Sequence, residues 1–175
     1  MKTKKCFYAL LMVLFAIPFW GFSQKQDTVN AFKGKYAISN EVSKIVAQGT
    51  FTLILEQGPE SSISFDTAYA QNIHYSVKND VLTINSEQDK VWIRLKNIAE
   101  ITSKDVTNIK SEGTITSPTL KLSLSDASTQ TLNLSTETLT AITNDAAKLT
   151  VNGKTLNFIL NSNDASSVRA EMLEA

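Results

Sequence analysis

A short motif recurs at one fixed interval in the C-terminal half of the chain. Each copy reads small polar residue, Asp, Ala and small residue, and its aspartates are Asp126, Asp145 and Asp164, spaced 19 residues apart. A fixed period of this kind is typical of structural units that stack on one another. At about 3.3 Å per extended residue, one interval traces roughly 60 Å, which suits a coil with short faces and tight corners. The repeat therefore predicts an all-β fold: a β-solenoid, or right-handed β-helix-like stack of short strands, with about 19 residues per rung.

The residues between these aspartates alternate between polar and aliphatic types. From Asn97 to Ala175, 31 of 79 residues are Ser, Thr or Asn, with Leu, Ile and Val interleaved among them. Such alternation predicts strands with one buried and one solvated face. We expect Leu120, Leu139 and Leu156 to stack inside successive rungs. The third leucine lies two residues earlier relative to its aspartate, so we expect the register to slip near Gly153.

The first half of the chain shows the same period of two. Residues 50–56, 62–65 and 91–96 alternate apolar and polar side chains, and turn-forming residues lie at 57–60, 78–80 and 86–89. This spacing of strand and turn signals is typical of an all-β domain.

The N-terminus has the composition of a secretory signal peptide. Three lysines precede an apolar run at residues 6–17, and small residues at Gly21 and Ser23 define a cleavage site after Ser23. We therefore expect residues 1–23 to be removed and residues 24–175 to form one domain, with its core at 42–173. The run is short for a membrane span, so we expect no span after cleavage; an uncleaved anchor is the alternative. Cys6 precedes the apolar run, and this position does not support a lipid anchor.

The composition excludes several classes of chemistry. The chain has 17 basic and 17 acidic residues, a balance that gives no electrostatic footprint for nucleic acid. Cleavage would remove Cys6, the one cysteine, and His74 is the one histidine, so neither a thiol nor a metal shell is expected. No nucleophile-elbow pattern frames a serine, and the glycines do not cluster into a phosphate loop. We therefore predict no catalytic residue and no cofactor, and the protein is not expected to be an enzyme.

The three repeated aspartates have two interpretations. Stacked rungs would bring Asp126, Asp145 and Asp164 into a column about 4.8 Å apart, where a shared Ca²⁺ is geometrically feasible. Each rung offers one carboxylate, however, while Ca²⁺ takes 6 to 8 oxygens. We favour corner residues that accept backbone N–H groups, and we keep a Ca²⁺ site at this column as the alternative.

The succession of elements resembles a known family. A strand ending in Gln57-Gly58, a hairpin at Asn79-Asp80, the strand Val91-Trp92-Ile93-Arg94-Leu95 and the small-residue repeats are similar to the head GIN domain, a family labelled putative auto-transporter adhesin and frequent in Bacteroidetes. The family's corners usually contain Gly, where this chain has Asp126, Asp145 and Asp164. The resemblance implies an exported adhesin-like protein, and it transfers no catalytic or binding residue.

The function that we predict is an exported, non-catalytic binding or structural module of the periplasm, outer membrane or cell surface. Its contacts would be with glycan, with an envelope protein or with a second copy through an exposed solenoid end. Tyr36, Tyr69 and Tyr75 are candidate ligand-surface aromatics, because rings flanked by polar groups can stack on sugars or proteins. Two alternatives remain open, a β-helix enzyme acting on polysaccharide and an envelope assembly or sensor component.

Overall fold

The strands account for most of the chain that the structure describes. The computed structural model describes residues 33–174, and the predicted signal peptide at 1–23 lies outside them. Ten strands are present in this range, with no α-helix and one short 3-10 helix at Thr67–Asn72. Their bounds are β1 Lys33–Ala37, β2 Lys44–Gln57, β3 Ser62–Asp66, β4 Ile73–Lys78, β5 Val81–Leu95, β6 Glu100–Ser103, β7 Asn108–Leu124, β8 Thr129–Thr143, β9 Lys148–Ser162 and β10 Ser167–Glu174. The all-β prediction is confirmed.

All ten strands belong to one hydrogen-bonded sheet. Its order is β1-β3-β5-β2-β6-β7-β8-β9-β10, with β4 also pairing with β5 and β2 also pairing with β7. From β2 onward in this order the pairings are parallel. Leu120 lies beside Leu139, and Leu139 lies beside Phe158. The 19-residue interval of the sequence motif is thus the offset at which neighbouring strands pair in this region.

The side chains of the parallel strands alternate as the sequence predicts. The members of the core that the repeats supply are fully buried; they are Leu120, Leu122, Leu124, Leu132, Leu134, Leu139, Leu149 and Val151. The intervening Ser, Thr, Asn and Lys side chains lie on the other face. Burial of aliphatic side chains contributes roughly 1.5 to 3 kcal/mol each, so this alternation is the main source of stability in a region that has almost no aromatic residues.

The third leucine of the predicted stack is not buried. Leu156 is 65% exposed, and Phe158 occupies the position beside Leu139. The predicted register slip at Gly153 is also wrong, because β8 and β9 pair without interruption from Thr129 beside Lys148 to Thr143 beside Ser162. The 19-residue spacing of the aspartates therefore predicts the observed pairing of β8 with β9, whereas the earlier position of Leu156 does not.

The predicted short strands are joined into long ones. β2, β5, β7, β8 and β9 each contain 14 to 17 residues, and the turn expected at residues 86–89 lies inside β5. There, Thr50 pairs with Glu87 and Thr52 with Lys90, so the one residue between the pairs on β2 lies opposite two on β5. The polar residues therefore form a β-bulge, which bends a strand without ending it.

The first strands are arranged differently from the repeats. β3 and β4 both pair with β5 in the antiparallel sense, and β1 pairs antiparallel with β3. β4 and β5 are joined at Asn79 and Asp80, with Lys78 opposite Val81, so the predicted hairpin is confirmed. Asn79 has a φ of 57°, a left-handed conformation that Asn tolerates better than most residues.

Candidate functional site

Two rows of side chains cross the first strands on the face opposite the core. Strand register places residues of β3, β5 and β2 side by side in each row; the first row also includes a residue of β1, and the second a residue of β7. The first row consists of Lys35, Ser64, Trp92 and Ile54, and the second of Ser62, Arg94, Glu56 and Glu112. Residues of strands distant in sequence thus form one surface.

These rows line a groove of about 200 Å³, which we call the Trp92 groove. It comprises the eight side chains of the two rows together with Ile93. Trp92 is half-buried and lines the groove. The Nζ atom of Lys90 lies 5.8 Å from the centroid of that ring, a distance at which a cation is attracted to the π-face.

An ion pair stands in the second row of the groove. The Nε and Nη2 atoms of Arg94 donate hydrogen bonds to Oε2 of Glu56, at 2.9 and 2.6 Å. Gly58 makes room for the arginine, because a Cβ at that position would lie 2.7 Å from Cδ of Arg94. Both charged side chains are about two-fifths exposed, so their remaining hydrogen-bonding capacity is accessible from the groove.

The groove combines groups of opposite charge with hydroxyls and one large ring. Lys35 and Arg94 supply cations, Glu56 and Glu112 supply carboxylates, and Ser64 supplies a hydroxyl. A flat ring beside several donors and acceptors suits a ligand with both C–H faces and hydroxyl groups. Because the charges balance, the groove has no net preference for an anion or a cation. This arrangement fits a neutral, polyhydroxylated ligand.

Sequence reasoning missed Trp92 as a candidate, although the signal was available. Val91, Ile93 and Leu95 were predicted to point inward, and all three are buried. Period-two alternation then places Trp92 and Arg94 outward. A tryptophan on the solvent side of an otherwise amphipathic strand is a feature that packing does not require.

Two of the predicted tyrosines lie together elsewhere on the first strands. The ring of Tyr36 stacks on Phe65 with centroids 5.3 Å apart, and Tyr75 is tilted against the same phenylalanine at 6.2 Å. Tyr36 and Tyr75 are 42% and 37% exposed. The side chain of Tyr69 lies outside the described residues. Because Tyr36 and Lys35 are adjacent on one strand, the tyrosine cluster and the Trp92 groove lie on opposite faces.

The repeated aspartates occupy corners of the parallel region. Asp126, Asp145 and Asp164 have φ values of 61°, 59° and 55°. The N–H of Asp126 donates to Oδ2 of Asp145 at 3.3 Å, so the carboxylate of one corner binds the backbone of the preceding one. The carboxylates of Asp126 and Asp145 thus each accept a backbone N–H of the preceding turn, and Asp164 shares their left-handed backbone conformation.

A fourth aspartate belongs to the same series. Asp105 has a φ of 57°, its N–H donates to Oδ2 of Asp126 at 3.2 Å, and its own Oδ2 accepts from Gly49 N–H at 3.1 Å. Sequence reasoning missed it because Asp105 precedes Asp126 by 21 residues instead of 19. The Ca²⁺ alternative stays a prediction; across residues 33–174 no three His, Cys, Asp or Glu residues are grouped closely enough to hold a metal ion.

The one histidine of the chain lies on the surface of the first strands. His74 lies exposed on β4 opposite Asn85. Within the part of the chain that the structure describes, no helix has the length and apolar character needed to cross a membrane.

Comparison with known proteins identifies similar sequences and folds. A family model described as "Putative auto-transporter adhesin, head GIN domain" matches residues 41–175, which confirms the resemblance found in the sequence. Among the curated proteins, none matches this chain.

Three solved structures illustrate the similarity in fold. One is a putative adhesin from Parabacteroides distasonis, at 16% identity and a TM-score of 0.62; the match covers 81% of this chain and 74% of the adhesin chain. A putative adhesin from Bacteroides fragilis has 11% identity and a TM-score of 0.58, with coverages of 79% and 96%. A putative lipid binding protein from P. distasonis has 12% identity and a TM-score of 0.54, with coverages of 80% and 74%. At these identities the similarity concerns the fold.

Proposed function

The chain belongs to the head GIN domain family of putative auto-transporter adhesins, and from that premise we propose that it is an exported, non-catalytic, adhesin-like binding module. Its ligand is a glycan of the cell envelope or of a surface that the cell contacts. The observation that supports this ligand class is the Trp92 groove. There one half-buried indole, an Arg94–Glu56 ion pair and serine hydroxyls share a single face.

The groove lacks the features that glycosidic catalysis needs. The groove has two carboxyl residues, Glu56 and Glu112. Oε2 of Glu56 accepts two hydrogen bonds from Arg94, at 2.9 and 2.6 Å, so this oxygen is already engaged within the protein and is not offered to a glycosidic oxygen. A glycosidase needs one acid that stays protonated beside a second carboxylate. Binding without turnover is therefore the function that these residues support.

The test is a binding and turnover assay on a panel of soluble glycans and envelope polysaccharides. We expect the purified protein to bind at least one polysaccharide and to release no product. Replacing Trp92 with Ala should weaken that binding about tenfold or more, because a stacking ring often dominates the affinity of such a site. The matched control is Tyr36→Ala, which removes an exposed ring on the opposite face and should leave binding unchanged.

Two outcomes would contradict this proposal. Binding that survives Trp92→Ala and Arg94→Met in folded variants would place the ligand elsewhere. Release of sugars by the purified protein, abolished in Glu112→Gln, would make it an enzyme. Thermal melting of each variant separates loss of binding from loss of folding.

The same proposal includes a finer description of the fold. We infer that β7, β8 and β9 wrap as successive coils of a solenoid, with the aspartates at one corner of each coil. The offset of 19 residues between paired strands from Thr114 onward and the inward leucines support this arrangement. It would place the Trp92 groove near one end of the stack.

Export is part of the proposal and has its own measurement. We expect cleavage before Gln24, because Gly21 and Ser23 supply the small side chains that the cleavage site requires. The intact mass of the exported protein should correspond to residues 24–175. A mass that still includes residues 1–23 would indicate a membrane anchor in place of a cleaved signal.

A further inference from the structure

A second groove lies on the parallel strands. It has a volume of about 370 Å³ and is lined by residues 114, 133–135 and 152–154 of β7, β8 and β9; we call it the Asn133 groove. β8 lies between β7 and β9 in the sheet, and β10 pairs with β9 beside Asn152. The groove therefore lies on the face of the sheet and not at its end.

Amides and hydroxyls supply hydrogen-bonding groups in the Asn133 groove. Strand register places Thr114, Asn133 and Asn152 side by side. Nδ2 of Asn152 donates to Oδ1 of Asn133 at 3.4 Å, a contact that orients the two amides relative to each other. Because an amide has two donor hydrogens and two acceptor sites, each asparagine keeps further capacity for the hydroxyl groups of a ligand.

The Trp92 groove alone is small for a ligand site. Its volume is about 200 Å³, whereas small-molecule sites usually measure about 300–1,000 Å³. The Asn133 groove adds about 370 Å³, and it supplies amides where the Trp92 groove supplies a ring. A sugar chain makes both kinds of contact, because its C–H faces stack on rings and its hydroxyls exchange hydrogen bonds.

The two grooves approach each other on β7. Glu112 lines the Trp92 groove and Thr114 lines the Asn133 groove, so their Cα atoms are at most about 7 Å apart along one strand. Gly113 lies between them, and a Cβ added there would meet no other described atom within 4 Å. The surface between the grooves is therefore open to a ligand that extends from one into the other.

A side-chain amide fixes the two regions relative to each other. Gln57 directly follows Glu56 of the Trp92 groove. Its Nε2 donates to the carbonyl of Thr116 at 3.0 Å, and its Oε1 accepts from the N–H of Thr116 at 2.7 Å. Thr116 lies two residues after Thr114 on β7. A long ligand would thus meet a preformed surface, which lowers the entropy cost of binding.

We propose that the Trp92 groove and the Asn133 groove are two subsites of one binding site, and that its ligand is a neutral, linear glycan long enough to cross Gly113. This inference rests on the proposed function and adds the length and shape of the ligand. One sugar ring stacks on Trp92, and sugars further along the chain exchange hydrogen bonds with Asn133 and Asn152.

Calorimetry with matched short and long sugars tests the second subsite. The probes are cellobiose and cellohexaose, chitobiose and chitohexaose, mannobiose and mannohexaose, and maltose and maltohexaose. We expect at least one hexasaccharide to bind about tenfold or more tightly than its disaccharide, because only the longer chain reaches the Asn133 groove and gains hydrogen bonds there.

The Asn133→Ala variant separates the two subsites. It should weaken hexasaccharide binding about threefold to tenfold and leave disaccharide binding unchanged, whereas Trp92→Ala should weaken both. The matched control is Asn144→Ala. Oδ1 of Asn144 accepts from Nδ2 of Asn163 at 2.8 Å, so this variant loses the same kind of amide pair outside both grooves and should bind the hexasaccharide like the parent. Thermal melting of each variant verifies folding.

Two results would overturn the second subsite and leave the proposed function standing. One is equal affinity for a disaccharide and its hexasaccharide, and the other is hexasaccharide binding that Asn133→Ala leaves unchanged, in each case with binding that Trp92→Ala still weakens. Failure of every probe to bind would also overturn the inference, because both grooves are assigned to a neutral chain. The wider panel of polysaccharides then decides the proposed function separately.

Discussion

The repeated strands β7 to β9 and the first strands β1 to β5 belong to one sheet, but their residues are paired in different ways. In the repeats, paired residues lie 19 positions apart from Thr114 onward, and the same aliphatic residue types recur inside. The first strands pair residues at many different separations and in both directions. Regular repetition provides stability in one region, and irregular pairing brings a tryptophan, an ion pair and serines onto one face in the other. The candidate site therefore lies on the first strands, with Glu112 of β7 as its one lining residue from the repeated strands.

The largest expected effect tests the packing of the repeats. Leu139 is fully buried between Leu120 and Phe158. Replacing it with Asp should lower the free energy of unfolding by about 4 kcal/mol or more, because an unpaired carboxylate would be buried. Urea denaturation measures the change.

The matched control is Leu156→Asp, the same substitution at the third predicted stacking position. Leu156 is exposed, so the change should stay within about 0.5 kcal/mol. Equal losses at the two positions would show that Leu156 is packed inside and that the observed register is wrong.

The next-largest expected effect is the loss of stability when a glycine is replaced at a close approach of two strands, once in each region. Gly49 in β2 and Gly153 in β9 both have positive φ, and an added Cβ would lie 2.2 Å from the carbonyl oxygen of Ser86 and 2.0 Å from that of Leu134. Because backbone cannot easily move away, each Gly→Ala change should cost about 2 to 3 kcal/mol. Thermal and urea unfolding should give similar losses for both.

Gly113 distinguishes the collision from the backbone conformation. Its φ is also positive, but an added Cβ there meets no atom within 4 Å, so Gly113→Ala should cost only about 1 kcal/mol. If all three variants lose the same stability, conformational strain alone explains the glycines and the close approach of neighbouring strands contributes nothing.

The same difference between the regions explains which parts of the fold and of the candidate site can be predicted from the sequence. The spacing of Asp126, Asp145 and Asp164 predicts the offset of 19 residues between β8 and β9 and along β7 from Thr114 onward, because one interval sets successive pairs of parallel neighbours. Alternation predicts the inward residues, including Val91 and Ile93. The pairing of β3 and β5 depends on contacts between distant residues that no local pattern encodes, so the Trp92 groove could not be assembled in advance. The exposure of Leu156 and Leu160 likewise depends on where strand pairing ends.

A smaller expected effect concerns the aspartates in the turns between the parallel strands. Asp145→Ala should cost about 1 kcal/mol, since Ala loses the acceptor for Asp126 N–H and tolerates the positive φ poorly. Asp145→Asn keeps an acceptor and the left-handed conformation and should be nearly neutral. Urea unfolding of the two variants measures the difference, and a larger loss in Asn than in Ala would exclude the corner role.

Calcium titration of the same variants tests the alternative interpretation of the corners. We expect calorimetry to show no tight Ca²⁺ binding, because each corner supplies one carboxylate and that group already accepts a backbone hydrogen bond at Asp126 and Asp145. Micromolar binding that Asp145→Asn removes would assign a cation site to the column.

The smallest effect lies at the hairpin of the first strands, where a charged pair adds to contacts already made by the backbone. Lys44 Nζ lies 3.0 Å from Asp80 Oδ2. The hydrogen bond to Lys44 lowers the pKa of the Asp80 carboxyl, and the same bond raises the pKa of Lys44. Both side chains are well exposed, so water and salt weaken the attraction.

The direction of the pH dependence follows from the lowered pKa of Asp80. Its stabilising effect is complete above the ordinary carboxyl pKa of about 3.9 and is lost as the pH falls through the lower pKa of the folded state. The Asp80→Asn variant should therefore lose less stability than the parent between about pH 4 and pH 2. The difference should shrink in high salt, and thermal melting across this range measures it. Because the N–H groups of Ser43 and Lys44 each donate to the Asp80 carbonyl at 3.0 Å, the hairpin should stay folded in the variant. A variant that loses the β4–β5 hairpin at neutral pH would show instead that the side-chain pair, and not the backbone, holds the first strands against β2.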